Sequence, residues 1–335
     1  MPKSSIKIAV VGDVHDLWQP ITDSLALHIL QVDLVLFVGD FGNEAIEVVE
    51  AIASLDLPKA VILGNHNAWY SAVDPYSKSP NKKQCPYDRT KEDRVQRQLD
   101  LLGNSHVGYS WLDFPEFNLS VVGARPFSWG SSKWKKKFFY RDRFQVNSFA
   151  ESAQRITASV SNTKHDHVIF LGHNGPSGLG EEEHSICGKD WKPIGGDYGD
   201  PDFAEAIIKA YQMGKSVPLA TFGHMHHHLR LNNNRRHEVI ATNDMGTIFF
   251  NSALTPRIVQ TNDGYYRNFS IVTLESGQVS QISIVWLDAF LKVISEDILF
   301  TDVNWNTHPL PPSPAGEGEQ NPYCFSCSHL LREKG

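Results

Sequence analysis

Cysteine is scarce in this chain: four residues in 335, at Cys85, Cys187, Cys324 and Cys327, which is too few for a disulfide framework and compatible with a reducing compartment. Long apolar runs are missing too. The best candidates, at 60–63 and 168–171, are strand-sized, far below the roughly 18 residues that a membrane-spanning helix needs. An excess of positive charge is also absent. With 31 basic and 38 acidic residues the net charge is -7, which argues against binding of nucleic acid or anionic membrane by the protein as a whole and leaves only a local patch for that role. From Met1 a few polar residues lead straight into an apolar run at 6–11, leaving no room for a signal or transit peptide. The expectation is a soluble cytoplasmic protein, or a plastid-stromal one if this is a mature organelle protein.

What the chain does have is core-forming material, 41% hydrophobic residues, arranged in a regular alternation. Continuous apolar runs at 6–11, 34–38, 60–63, 119–122, 168–171 and 217–222 read as strands buried on both faces. Helix-compatible segments at 21–31, 44–55, 92–102, 148–159 and 202–213 fall between them, so an α/β sandwich is expected. Later strands are expected at 246–251, 269–274 and 279–286, with Glu275-Ser-Gly-Gln as a turn, and a second sheet packed on the first accounts for them. Two stretches have no pattern. Residues 70–90 read as a long surface excursion, and 309–335, rich in Pro, Gly and Glu, as a tail unable to order itself. The expected division is a domain over 1–300 and a flexible tail over 301–335.

Five of the strands end alike. Asp13 and His15 follow the first in Val11-Gly-Asp-Val-His, Asp40 follows the second in Val38-Gly-Asp, and Asn65 and His66 follow the third in Leu63-Gly-Asn-His. His173 comes after Leu171-Gly, and His224 and His226 after Phe222-Gly. Each strand runs into glycine, which permits a tight exit, and then into a metal-competent side chain. In open α/β sheets ligands gather at the carboxyl ends of the strands, so these five ends deliver seven ligands to one rim. A single histidine beside a strand is usually structural; five coordinated occurrences are not. Oxygen and imidazole donors suit Mn, Fe, Zn or Co. Seven ligands exceed the needs of one ion, whereas two ions about 3.5 to 4 Å apart with a bridging carboxylate use them all, an arrangement that serves phosphate ester hydrolysis.

In the order Asp-x-His, Gly-Asp, Gly-Asn-His, Gly-His and Gly-His-x-His, these blocks resemble the calcineurin-like metallophosphoesterase superfamily, over residues 6–226. The resemblance implies a four-layer α/β/β/α sandwich, two packed mixed β-sheets flanked by helices, with a dinuclear metal site at strand C-terminal ends. It also implies that Asp13, His15 and His226 hold one transition-metal ion, Asn65, His173 and His224 the other, and that Asp40 bridges. His66 would face the substrate as a general acid, with in-line attack by metal-bridging hydroxide and no covalent phosphoenzyme. The chain departs from the pattern at Asn43, where many members carry an Asp that supports this histidine, and at Asp16. The middle of the chain is similar to the small-enzyme branch, of cyanobacterial and plastid type, and not to the Ser/Thr protein phosphatases.

Weaker signals accompany these. Arg125, after a strand end, is a candidate phosphate contact, and the resemblance implies Asn251 and Arg257 as candidate substrate contacts, in a region that in the family lines the site after the last ligand block. Lys133-Trp-Lys-Lys-Lys with Arg141 and Arg143 reads as a solvated loop or, alternatively, as a basic aromatic segment overhanging the site to bind a polyphosphate, nucleotide or nucleic-acid backbone. His184, His227, His228 and His237 read as surface or supporting residues, and Cys324-x-x-Cys327 with His329 as tail rather than zinc site. The expected partner is a phosphorylated small molecule or nucleotide, with nucleic acid not favoured and no protein partner identifiable. The competing readings are a nuclease or nucleotide pyrophosphohydrolase on the same fold and a non-catalytic interaction scaffold.

Overall fold

The computed structural model describes residues 3–73 and 85–302, so all but the first two residues of the expected tail, and the Cys324, Cys327 and His329 cluster, lie outside the described residues. In chain order the elements begin β1 (Ser5–Val11), α1 (Pro20–Ile29), β2 (Leu34–Phe37), α2 (Ile46–Ala53) and β3 (Lys59–Val61). There follow α3 (Arg94–Leu102), β4 (Trp111–Phe114), β5 (Leu119–Gly123), α4 (Lys137–Phe144), α5 (Phe149–Ser161), β6 (His167–Leu171), α6 (Pro201–Gln212) and β7 (Ser216–Phe222). The rest is strand: β8 (His228–Leu229), β9 (Asn232–Arg236), β10 (Ile240–Thr242), β11 (Ile248–Asn251), β12 (Ile258–Thr261), β13 (Gly264–Glu275), β14 (Gln278–Leu287) and β15 (Val293–Thr301).

Helix starts follow local chemistry. Ser148 Oγ accepts from Glu151 N at 3.2 Å at the head of α5, and Asp93 from Gln96 N at 2.9 Å at the head of α3. Proline opens α1 and α6, where its missing N–H costs nothing.

Two mixed sheets form. One has the order β15-β14-β13-β1-β2-β3, with β12 beside β13, and the other β10-β11-β7-β6-β5-β4. β1, β2 and β3 run parallel, as do β5, β6, β7 and β11. The period of two along β1 divides its side chains between two cores. Ile8 and Val10 join Leu36, Val121, Phe170 and Phe222 between the sheets, while Ala9 and Val11 join Leu27 of α1, Val49 of α2 and Val95 of α3 on the outer face. Ile156 of α5 and Phe203 of α6 pack on the second sheet. The result is helices, sheet, sheet and helices. Each fully buried aliphatic or aromatic side chain contributes about 1.5–3 kcal/mol, so both sheet faces have to be covered.

Two elements depart from the expectation. The segment expected as a solvated loop contains the helix α4, with Trp134, Lys135 and Lys136 half-buried just ahead of it. β15 is an edge strand, mostly exposed and paired only with β14; its apolar residues fall in two short groups, Val293-Ile294 and Ile298-Leu299-Phe300, split by Ser295-Glu-Asp, so no strand-length pattern announces it.

Candidate metal centre

Because β1, β2 and β3 are parallel, and β6 and β7 likewise, the five strand exits leave from the same ends of their sheets. Asp13, His15, Asp40 and His224 all have φ between 42° and 69°, the left-handed region that costs a non-glycine residue on the order of 1–3 kcal/mol. The glycines ahead of the ligands serve close approach as much as turning. A Cβ on Gly64 would lie 2.3 Å from Asp40 Oδ1, and one on Gly223 2.4 Å from Asp13 Oδ1. Both positions need a hydrogen atom for the carboxylates to reach inward.

Three groups of donor atoms lie within 4.8 Å of one another: Asp13, His15 and His226; His15, Asp40 and His66; and Asp40, His173 and His224. His226 Nε2 is 3.1 Å from Asp13 Oδ2 and 3.0 Å from His15 Nε2. His173 Nε2 is 3.3 Å from Asp40 Oδ1 and 2.9 Å from Asn65 Oδ1, and the His173 and His224 rings meet edge to face at 5.0 Å. All seven candidate ligands therefore converge, with His15 and Asp40 each common to two groups.

Outer contacts orient them. His173 Nδ1 donates to the Val38 carbonyl at 2.7 Å, which turns Nε2 toward Asp40 and Asn65. The His224 N–H donates to both oxygens of Asp13 at 3.1 Å, and the His66 N–H to Asp40 Oδ1 at 2.8 Å. Carboxylate and amide oxygens with oriented imidazole nitrogens form a donor set that fits borderline transition-metal ions.

Neighbouring charges set the protonation of these groups. Burial works against an ionised Asp13, yet the hydrogen bond and charge of His226 outweigh it and hold the carboxyl at about 2. Burial likewise disfavours charge on His173, but Asp40 beside it raises the imidazole to about 9, while Asp40 itself falls below the carboxylate range. His224, buried and facing the charged His173, drops to about 3.

His66 sits at the edge of this cluster, with Nε2 3.9 Å from Asp40 Oδ2. Asn43 occupies the supporting position: its Oδ1 accepts from His66 Nδ1 at 2.6 Å. Trp69 stacks on the His66 ring at 4.6 Å and 16°, and Trp129 stacks on Trp69 at 5.5 Å and 22°. The sequence reading missed Trp69. The signal was there, since the turn Asn65–Ala68 brings a residue three positions on beside His66.

The three candidate substrate contacts lie inside the protein. Arg125 is 3% exposed, with Nη2 on Asp200 at 2.6 Å and Nε on Asp202 at 2.9 Å, and it stacks against Trp134 and Tyr140. Arg257 is 2% exposed, with Asp23 at 3.1 Å and the Leu17 carbonyl at 2.8 Å. Both guanidinium groups are committed inside the protein. Asn251 is buried; its amide donates to the Met225 carbonyl at 2.6 Å and accepts from Ala253 N at 3.0 Å, which clamps the turn carrying His224 and His226. His227 joins that clamp through the Asn251 carbonyl at 2.9 Å. The described flanks of the 70–90 excursion are held by buried Glu44, which accepts from Tyr70 N and Ser71 N and bonds the Tyr87 hydroxyl.

No curated protein sequence matches this chain. Among solved structures, a dimetal phosphatase from Danio rerio is 11% identical, covering 89% of this chain and 99% of its own, with a TM-score of 0.43. A hypothetical protein from Thermus thermophilus is 13% identical, covering 84% and 98%, with a TM-score of 0.42. The family model for calcineurin-like phosphoesterases matches residues 6–228. That span is well over half of the chain and takes in all five strand-end blocks, so the chain belongs to the calcineurin-like phosphoesterase family of metal-dependent phosphate-ester hydrolases.

Proposed function

We propose that the chain hydrolyses a phosphate monoester or diester, with Asp13, His15 and His226 holding one ion, Asn65, His173 and His224 a second, and Asp40 shared. The observation that carries this reading is that Asp40 groups with His15 of the first set on one side and with His173 and His224 of the second set on the other. Two ions bound there would supply Lewis-acid stabilisation of the phosphoryl oxygens and a more acidic water. The remaining work belongs to His66. Asn43 places a proton on Nδ1, the bond from its own N–H to Asp40 fixes its backbone, and Trp69 covers one ring face. Nε2 is thereby left as the edge that meets the leaving-group oxygen; when the ring carries a second proton there, as imidazolium, it can deliver that proton to the leaving group, a role worth about 10²–10⁴ in rate, and burial, which lowers the His66 pKa, makes that form scarcer as pH rises. Intact ligands disfavour the scaffold reading, since an interaction surface has no use for strained carboxylates with depressed pKa values.

The test uses the full chain loaded with Mn(II), with p-nitrophenyl phosphate and bis-p-nitrophenyl phosphate as substrates. Hydrolysis of at least one is expected, with loss on chelation, in Asp40→Ala and in His66→Ala. Absence of both bound metal and activity overturns the proposal.

A further inference from the structure

Two lysines beyond the His66 stack have no ion-pair partner among the described residues. Lys135 and Lys136 are half-buried just ahead of α4, and among the described residues neither has a carboxylate at ion-pairing distance. Lys136 Nζ lies 4.0 Å over the Trp129 ring, and Lys135 Nζ 4.3 Å over Tyr198, whose hydroxyl it also bonds. Burial depresses both ammonium groups, Lys135 to about 8. The nearby Asp200 is already committed to Arg125 at 2.6 Å.

The setting makes this arrangement costly. Lys136 caps α4 and Lys137 begins it, so three consecutive lysines gather at the positive end of a helix, where cations are disfavoured. Trp129 Nε1, in the ring that Lys136 covers, is a buried donor without a hydrogen-bond partner. The segment is also anchored: Trp134 packs against Tyr140 and Phe149 at 5.1 Å each. Half-buried cations and an orphan donor, held in place without a carboxylate, form a site complementary to an anion.

Its position gives the anion a role. The stack runs from His66 through Trp69 and Trp129 to Lys136, so the lysines lie beyond the residue that meets the leaving group. Trp69 has His66 on one side and Trp129 on the other, which leaves it no face for a base and makes the stack a spacer. We propose that Lys135, Lys136 and Trp129 form a subsite for a second phosphate on the leaving group, so that the preferred substrate is a small phosphate ester carrying another phosphate some distance from the scissile one. This rests on the phosphoesterase reading above. A nucleic-acid backbone fits less well, because Arg143 is paired with Asp93 and Arg141 with Asp142, so α4 does not present an open basic stripe.

The test compares octanediol bisphosphate with octanediol monophosphate on the full, Mn-loaded chain, alongside p-nitrophenyl phosphate and a single-stranded oligonucleotide. Wild type is expected to favour the bisphosphate in kcat/KM by about tenfold or more, mainly through KM. The double variant Lys135→Gln, Lys136→Gln should abolish that ratio, and Lys136→Arg should keep it within about threefold. Tryptophan fluorescence reads bisphosphate binding directly through Trp129, whether or not turnover occurs, and this response should disappear in the double variant. Absence of bound metal together with no hydrolysis of p-nitrophenyl phosphate or bis-p-nitrophenyl phosphate by wild type would refute the phosphoesterase reading, with fluorescence still deciding on the subsite. Equal use of mono- and bisphosphate, an unchanged ratio and fluorescence response in the double variant, or a loss confined to the oligonucleotide overturns the subsite.

Discussion

At the scale of single residues, the centre is organised by proton competition. Asp40 holds His173 protonated up to about pH 9, and an ion taking Nε2 must displace that proton. Below that pKa each fall in pH increases the competition, and His226, raised by its bond to Asp13 against the effect of burial, adds a second proton, so metal affinity should rise by about tenfold per pH unit or more between pH 6 and 8 and level off above 9. Calorimetry in buffers of differing ionisation enthalpy measures this as proton release on binding; affinity independent of pH would show that His173 is not a ligand. Asn43 illustrates a limit of sequence reading. As a departure from the pattern it left the support of His66 open, and only its 2.6 Å bond to Nδ1 shows an amide oxygen in that place.

At the scale of elements, the ligand-bearing turns were legible because backbone sterics dictate them: a glycine leaves room that no other residue does. Gly64→Ala places a methyl group 2.3 Å from Asp40 Oδ1 and 2.6 Å from Asp40 N, and it should reduce bound metal to less than about half an ion per chain even where the protein folds. Metal analysis of the purified variant checks this. The arginines were not legible, since a basic residue after a strand reads the same whether it faces the rim or the interior. Arg125 is settled by Asp200 and Asp202, far along the chain, which join β5 to the start of α6. Arg125→Met strands two buried carboxylates and should cost about 3–5 kcal/mol in denaturant unfolding. For the folded variant, a change of less than about threefold in KM is expected; a large rise in KM at unchanged stability would restore the substrate-contact reading.

At the scale of the whole molecule, the layered architecture followed from buried runs alternating with amphipathic helices, and Ile8, Val10 and Ala9, Val11 show that alternation dividing two cores. β15 and α4 escaped because exposed edges and short cationic helices are specified by what they pack against rather than by their own pattern. Ions bound only by the folded state add to its stability, so chelation should lower the unfolding midpoint by roughly 5 °C at ion concentrations about a hundredfold above Kd. An unchanged midpoint would mean that the five strand ends are held together without metal.

The most direct test of the central claim is the number of transition-metal ions bound per chain, measured by elemental analysis after equilibrium loading of wild type and Asp40→Asn, with p-nitrophenyl phosphate hydrolysis followed on the same samples. The account predicts two ions per wild-type chain, at most one in the variant, and activity that appears only with the second ion. Full activity with one ion or none, or two ions retained without Asp40, would contradict it.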